Sequence, residues 1–178
     1  RSAVVAGASM GGCVTLAFAG AYPGKLDGVG LIDTTAWYGP SAPAQWEDRA
    51  RKAVAEGLRS LVDFQKSRWL GEAFQAAHPE IVAEAVAVFL ANDVAAYAET
   101  CRMLGRCDKR DALARIGVPT RILVGAEDYA TPVAMAESLR EAIPGARLDV
   151  IPGARHLTPL ECPEVIAGAL RDLLVAPR

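Results

Sequence analysis

Residues 7–11, Gly7-Ala8-Ser9-Met10-Gly11, constrain this chain more than any other segment. Ser2–Ala6 before them reads as a short apolar strand, and the small-residue pattern from Gly12 to about Tyr22 reads as a helix. A G-x-S-x-G run between a strand and a helix is the setting of a nucleophile elbow. A serine hydroxyl is a weak nucleophile, and a sharp turn exposes it to a base and to the positive end of the following helix. Such a turn puts φ > 0 on the serine and crowds the backbone around it, so the flanking positions must be small. Gly7, Gly11 and Gly12 are expected to meet that need.

The remaining pattern is α/β with an interruption. Pro23-Gly24 stops the first helix, and Gly28–Asp33 is a second strand, apolar nearly throughout as when helices cover both faces. A right-handed parallel crossover joins the two. From Thr34 to about Arg115 no strand pattern appears. Apolar residues recur there at helical spacing (Ala53, Val54, Leu58; Ile81, Val82, Ala85, Val86, Phe89), with breaks at Gly57, Gly71, His78-Pro79, Asn92-Asp93 and Gly105. The α/β rhythm returns with strands Thr120–Gly125 and Arg147–Ile151 and helices Pro132–Ala142 and Pro163–Val175, each of these helices with proline in its first turn. The expected fold class is α/β: four parallel strands with a helical insertion after the second. It divides into a core segment 1–35, a helical lid 36–116 and a core segment 117–178.

Composition narrows the function. A formal charge of −2 on 178 residues leaves no electrostatic footprint for nucleic acid. No apolar run is long enough to span a bilayer, and no signal-peptide pattern occurs, so a cytoplasmic protein with no membrane partner is expected. Cys13, Cys101, Cys107 and Cys162 form no C-x-x-C pair and do not cluster with histidines, which argues for reduced thiols rather than a zinc site. The motifs call for no cofactor and no metal. The chain opens with Arg1 and runs directly into a core strand, and the expectation is that something upstream is missing.

A serine nucleophile needs a base, and only His78 and His156 are present. His78, before Pro79, reads as a surface residue at a helix start. His156 lies in Pro152-Gly153-Ala154-Arg155-His156-Leu157, a loop that follows a strand, and active groups of open α/β sheets gather at strand C-termini. The imidazole in turn needs an orienting carboxylate. Asp128, after Thr120–Gly125, is favoured over its neighbour Glu127 and over Asp33 at the end of the second strand. The order Ser9, Asp128, His156 is nucleophile, acid, base. In these roles Ser9 attacks a carbonyl carbon, His156 moves the proton, Asp128 holds the tautomer, and the Met10 backbone N–H donates to the oxyanion.

The segments VVAGASMGG, LIDTT, TRILVGAEDYATP and IPGARHL, with the helical insertion, resemble the C-terminal half of an α/β-hydrolase. The resemblance implies that the four strands are the family's fifth to eighth, and that a second oxyanion donor comes from a loop after an earlier strand. Trp46…Arg49, Arg68-Trp69-Leu70 with Phe74, Asn92-Asp93…Ala96-Tyr97-Ala98…Cys101, and Cys107-Asp108-Lys109-Arg110-Asp111 with Leu113, Ile116 and Val118-Pro119-Thr120 resemble the lid of 3-oxoadipate enol-lactonases. That likeness implies a small-molecule lactone or ester substrate in protocatechuate and catechol degradation, with no cofactor. It also implies fusion to or association with 4-carboxymuconolactone decarboxylase. The substrate carries a carboxylate, for which Arg68, beside Trp69, is the candidate partner. Other α/β-hydrolase chemistries (carboxylesterase, C–C hydrolase, acyltransferase) share the same elbow and triad, and a non-catalytic fragment or binding module is the alternative outside the enzymes.

Overall fold

The computed structural model describes residues 1–175. Strands β1 (Ala3–Ala8), β2 (Leu26–Ile32), β3 (Thr120–Gly125) and β4 (Arg147–Ile151) form one sheet in the order β1-β2-β3-β4. Every neighbouring pair is parallel. All four C-terminal ends therefore lie along one rim.

Period-two alternation sorts the strand side chains onto two faces. Val29 and Leu31 of β2 and Ile122 and Val124 of β3 pack with Leu16 and Ala19 of helix α1 (Met10–Ala21). Ala136 and Leu139, from a helix over Val133–Ala142, join that cluster. On the opposite face Ile32, Leu123 and Ile151 meet Ile166 and Ala169 of the last helix, Pro163–Val175. Both faces are covered, which is why β2 and β3 are apolar almost without interruption.

Two strand ends differ from their sequence expectations. β1 continues through Gly7 and Ala8, because both pair with β2, as Gly7 with Leu31 and Ala8 with Ile32. Asp33 falls outside β2, since its φ of 45° turns the chain out of the sheet.

Residues 38–107 form a separate compact helical unit, inserted in the sequence between β2 and β3. It contains α2 (Ala42–Glu56), α3 (Val62–Trp69), α4 (Glu72–Ala77), α5 (Pro79–Leu90) and α6 (Val94–Gly105). Asp93 caps α6, accepting the Ala96 N–H at 2.8 Å. Arg102 of α6 holds Glu47 of α2 through Nε at 2.9 Å and Nη2 at 3.3 Å. Ala50, Ala98 and Cys101 close the space between those two helices.

The insertion is shorter than the 36–116 read from the sequence. Trp37 and Asp108 form an isolated bridge where the chain leaves and re-enters the sheet unit, and the Lys109 N–H donates to the Ala36 carbonyl at 2.8 Å. Beyond it, a short helix α7 (Arg110–Leu113) delivers Leu113, and then Ile116, into the core beside Leu16 and Val29.

The remaining helices are α8 (Val133–Ala142), α9 (Thr158–Glu161) and α10 (Pro163–Val175). Leu31 is wholly buried at the centre of the sheet core. Leu31→Ala is expected to cost about 2–5 kcal/mol of stability, read as a lowered midpoint in urea unfolding.

Candidate active site

Ser9 sits between β1 and α1 at φ 50°, ψ −118°, a conformation that costs a non-glycine residue roughly 1–3 kcal/mol. Bonds on both sides hold it there. Its N–H donates to the Ile32 carbonyl at 2.9 Å. Its carbonyl accepts the Gly12 N–H at 2.9 Å and the Thr34 hydroxyl at 2.7 Å. A Cβ on Gly7 would overlap the Gly11 carbonyl, and one on Gly12 would overlap the Thr34 side chain. Gly11 differs from expectation: a Cβ there would meet no described atom within 4 Å, so its side chain is not excluded by crowding. The Gly12 and Cys13 N–H groups both point at the Ser9 carbonyl, so α1 starts at Met10 rather than Gly12. The Met10 N–H, in the first turn, has no acceptor within its own helix and lies at the positive end of the helix dipole.

His156 hangs from the loop after β4. Its Nε2 lies 2.8 Å from Ser9 Oγ, and its Nδ1 lies 2.8 Å from Asp128 Oδ2. The structure thus brings Ser9 together with His156, 147 positions away, and His156 with Asp128, 28 positions away. Ser9 is half-buried, while His156 and Asp128 are buried.

Asp128 is fixed by its own loop. Oδ1 accepts the Ala130 N–H at 2.7 Å and the Thr131 N–H at 2.9 Å, an Asx turn that folds the loop back on the carboxylate. The Thr131 hydroxyl donates to Oδ2 at 2.8 Å. Thr131 is a site residue that sequence reasoning missed. Its signal was the Asp-x-x-Thr spacing just before a helix, which also reads as ordinary helix-start chemistry.

The two other acids fall elsewhere. Asp33 does not bond to His156. Its Oδ2 accepts the Thr158 N–H at 3.0 Å and the Thr158 hydroxyl at 2.6 Å, and its Oδ1 accepts the Gly125 N–H at 3.3 Å. Glu127 is exposed, with Oε2 3.7 Å from Arg155 Nε. His78 stands at the start of α5 in the helical unit, with Nδ1 3.4 Å from Glu80 and its ring against Phe74.

Electrostatics separates the two buried carboxyls. Burial pushes Asp33 up to about 7, against the weaker opposing effect of the Thr158 donors and His156. Burial also acts on Asp128, but there the His156 hydrogen bond, the His156 charge and the Thr131 donors together outweigh it. They hold that carboxyl below its ordinary value.

In the helical unit, Trp69 stands edge-on to Phe89 with centroids 5.4 Å apart, and Phe89 stands likewise to Tyr97 at 5.5 Å. Trp69 is therefore part of that unit's packing. Arg68 lies over the Phe64 ring at 4.9 Å and lines a cavity of about 660 Å³ with Arg49, Lys52 and Asp48. Arg49, also on that cavity, sits 4.3 Å from the centre of the Trp46 ring. Among the described residues no group of three His, Cys, Asp or Glu side chains is placed to hold a metal ion. No single helix there is long and apolar enough to cross a membrane.

A hydroxyl, an imidazole and an ionised carboxylate in a line, with the hydroxyl at a helix N-terminus, can carry out nucleophilic acyl transfer without a metal. The comparisons agree with this class. The pattern of the Alpha/beta hydrolase family matches residues 1–169, and the chain belongs to that family. It is similar to 3-oxoadipate enol-lactonase 2 of Acinetobacter baylyi, 29% identical over 172 residues, which cover 97% of this chain and 63% of the relative. The enol-lactonase of Burkholderia xenovorans superposes with a TM-score of 0.90 at 30% identity, covering 96% of this chain and 65% of that one. A thermophilic esterase of Thermogutta terrifontis superposes with a TM-score of 0.87 at 31% identity, covering 96% of this chain and 64% of that one. The chain thus spans somewhat less than two thirds of the length of these proteins.

The Asp33 carboxyl predicts a pH dependence of stability. Its folded value, about 7, lies above the ordinary 3.8, so between those values the folded state holds more protons than the unfolded one. The stabilising contribution is complete below the ordinary value and is lost as pH rises through about 7. Asn tolerates positive φ and carries no proton to lose. Asp33→Asn is therefore expected to gain stability relative to wild type as pH rises from 4 to 8. Urea unfolding at a series of pH values checks this, and a difference between the two proteins that does not change with pH would contradict it.

Proposed function

We propose that this chain carries the nucleophile, base and acid of a serine hydrolase that opens a small lactone or ester. The enol-lactone of 3-oxoadipate is the leading substrate. The observation that carries this reading is the continuous hydrogen-bonded line from Ser9 Oγ through His156 to Asp128.

In this mechanism Ser9 Oγ attacks the lactone carbonyl carbon while its proton passes to His156 Nε2. The carbonyl oxygen becomes an oxyanion, and the Met10 N–H donates to it. One such donor is worth roughly 3–4 kcal/mol of transition-state stabilisation. Collapse of the intermediate breaks the ring C–O bond, and the leaving oxygen takes the proton from His156. Water then attacks the acyl-serine with His156 as base, and a second collapse frees the acid and restores the hydroxyl. Asp128, ionised throughout, keeps the Nδ1 proton in place and stabilises the imidazolium that forms in each half-reaction.

The substrate assignment draws support from the lactonase relatives and from the lid residues quoted above. A general carboxylesterase is the second reading, favoured by the likeness to the Thermogutta esterase at comparable identity.

A panel of the enol-lactone and neutral p-nitrophenyl esters separates the two. The lactonase reading expects kcat/KM on the enol-lactone at least about tenfold above that on any neutral ester, and the reverse order would favour the esterase. Ser9→Ala is expected to lower kcat by roughly four to six orders of magnitude on either substrate and to abolish covalent labelling by a fluorophosphonate. Unchanged labelling in that variant would remove Ser9 from the mechanism.

A further inference from the structure

The mechanism above gives Asp33 no part, yet it is wholly buried and stands at positive φ. A buried carboxyl is costly unless its oxygens are matched by donors. Here every matched donor belongs to a segment that carries a reacting group. Thr158, which supplies two of them, lies two positions after His156 and is itself wholly buried. Gly125, which supplies the third at the longer 3.3 Å, closes β3 three positions before Asp128. The Asp33 N–H in turn donates to the Leu123 carbonyl at 2.9 Å, which anchors the carboxyl's own backbone to β3.

The neighbouring geometry leaves little slack. The Glu127 N–H donates to the Ala154 carbonyl at 3.0 Å, so the loops bearing Asp128 and His156 are already joined to each other. A Cβ on Gly125 would overlap the Arg155 carbonyl, so the two loops touch directly. Beside the backbone pairing of β2 with β3, the Asp33 carboxyl adds a side-chain link from the end of β2 to both loops.

We propose that Asp33 is a positioning residue: its carboxyl clamps the loops carrying His156 and Asp128 to the end of β2, keeping the imidazole within bonding range of Ser9 Oγ. This rests on the hydrolase reading for its kinetic consequence but not for its structural one. Asp33 touches no reacting atom and acts through Thr158 and Gly125. An amide in its place keeps one oxygen to accept both Thr158 bonds, and exchanges only the long bond from Gly125 for a donor facing that N–H. A methyl group keeps none.

The test uses Asp33→Ala, Asp33→Asn, Thr158→Val and Thr158→Ser in the full chain. Two readouts are taken: kcat and KM on a p-nitrophenyl ester, and the NMR resonance of the His156 Nδ1 proton. Asp33→Ala is expected to lower kcat roughly 10- to 100-fold, the scale of an ångström-level misplacement, with KM changed less than about twofold. The Nδ1 resonance should broaden or shift. Asp33→Asn should recover most of kcat together with the resonance. Thr158→Val should act in the same direction as Asp33→Ala but less, and Thr158→Ser should recover. The double variant Asp33→Ala/Thr158→Val should be no worse than Asp33→Ala, because the two residues share one interaction.

Wild-type kcat and resonance in both Asp33→Ala and Thr158→Val would overturn the clamp. A fall in KM-dependent binding alone, with kcat and resonance intact, would overturn it as well. If Asp33→Ala does not fold, the contrast between Thr158→Val and Thr158→Ser decides. A wild-type protein without turnover whose Nδ1 resonance still changes in Asp33→Ala supports the clamp while failing the hydrolase reading. Turnover that needs Ser9 but ignores Asp33 and Thr158 does the opposite.

Discussion

The imidazole of His156 bridges a gap that the sheet itself creates. Ser9 follows β1 and Asp128 follows β3, with β2 between them. Neighbouring strands lie about 4.8 Å apart, so nucleophile and acid start from strand ends about 10 Å apart. A single side chain can span that distance only if it enters from the side, hydrogen-bonds in both directions and keeps its ring fixed. His156 does so from the loop after β4, with 2.8 Å on each side. The parallel order of the sheet is thus a requirement of the site. Reversing any strand would send its terminal residue to the opposite rim.

This spacing explains where backbone strain is stored. Ser9 and Asp33 are the two described non-glycine residues with positive φ, and each follows the last residue of a strand in the β1-β2 pair. At both positions the chain must leave the sheet abruptly so that a side chain stands at the rim instead of continuing the pleat. Strain of this kind persists only where several bonds over-determine it. Ser9 has its bonds to Ile32, Gly12 and Thr34, and Asp33 has its bonds to Leu123, Thr158 and Gly125. The contact between the Thr34 hydroxyl and the Ser9 carbonyl ties the two strained turns to each other.

Much of this was legible in the sequence, for a local reason. Ser9 directly follows β1, and Asp128 and His156 lie in the loops after β3 and β4, which a parallel sheet places at one rim. Asp33 satisfies the same local rule, so spacing alone could not separate it from Asp128. The separation lies in which donors reach each carboxylate, and those come from Thr131 and His156 on one side and from Thr158 and Gly125 on the other. Thr131 and Thr158 stayed hidden because a threonine at a helix start looks the same whether it caps the helix or holds an acid. The end of the compact helical unit is hard to read from the sequence for a related reason. Leu113 and Ile116 have helical apolar spacing that fits equally well against another inserted helix or against Leu16 of the sheet core.

The opposed shifts of the two carboxyls bear on how a rim with two buried acids can work at all. In the proposed reaction an imidazolium forms twice per turnover, and it needs one fixed negative charge on its Nδ1 side. A second ionised carboxyl nearby would add a competing charge without a catalytic bond. Burial and donor chemistry together weight the two carboxyls differently. Asp128 collects two backbone N–H groups, a hydroxyl and the imidazole, and remains charged despite burial. Asp33, with fewer strong donors and complete burial, is pushed to about 7 and gives up its charge more readily. In the readings proposed above, the same residue type after adjacent strands takes two different tasks through its hydrogen-bond environment: Asp128 would hold a proton in place on the imidazole, and Asp33 would hold two loops in place on the sheet.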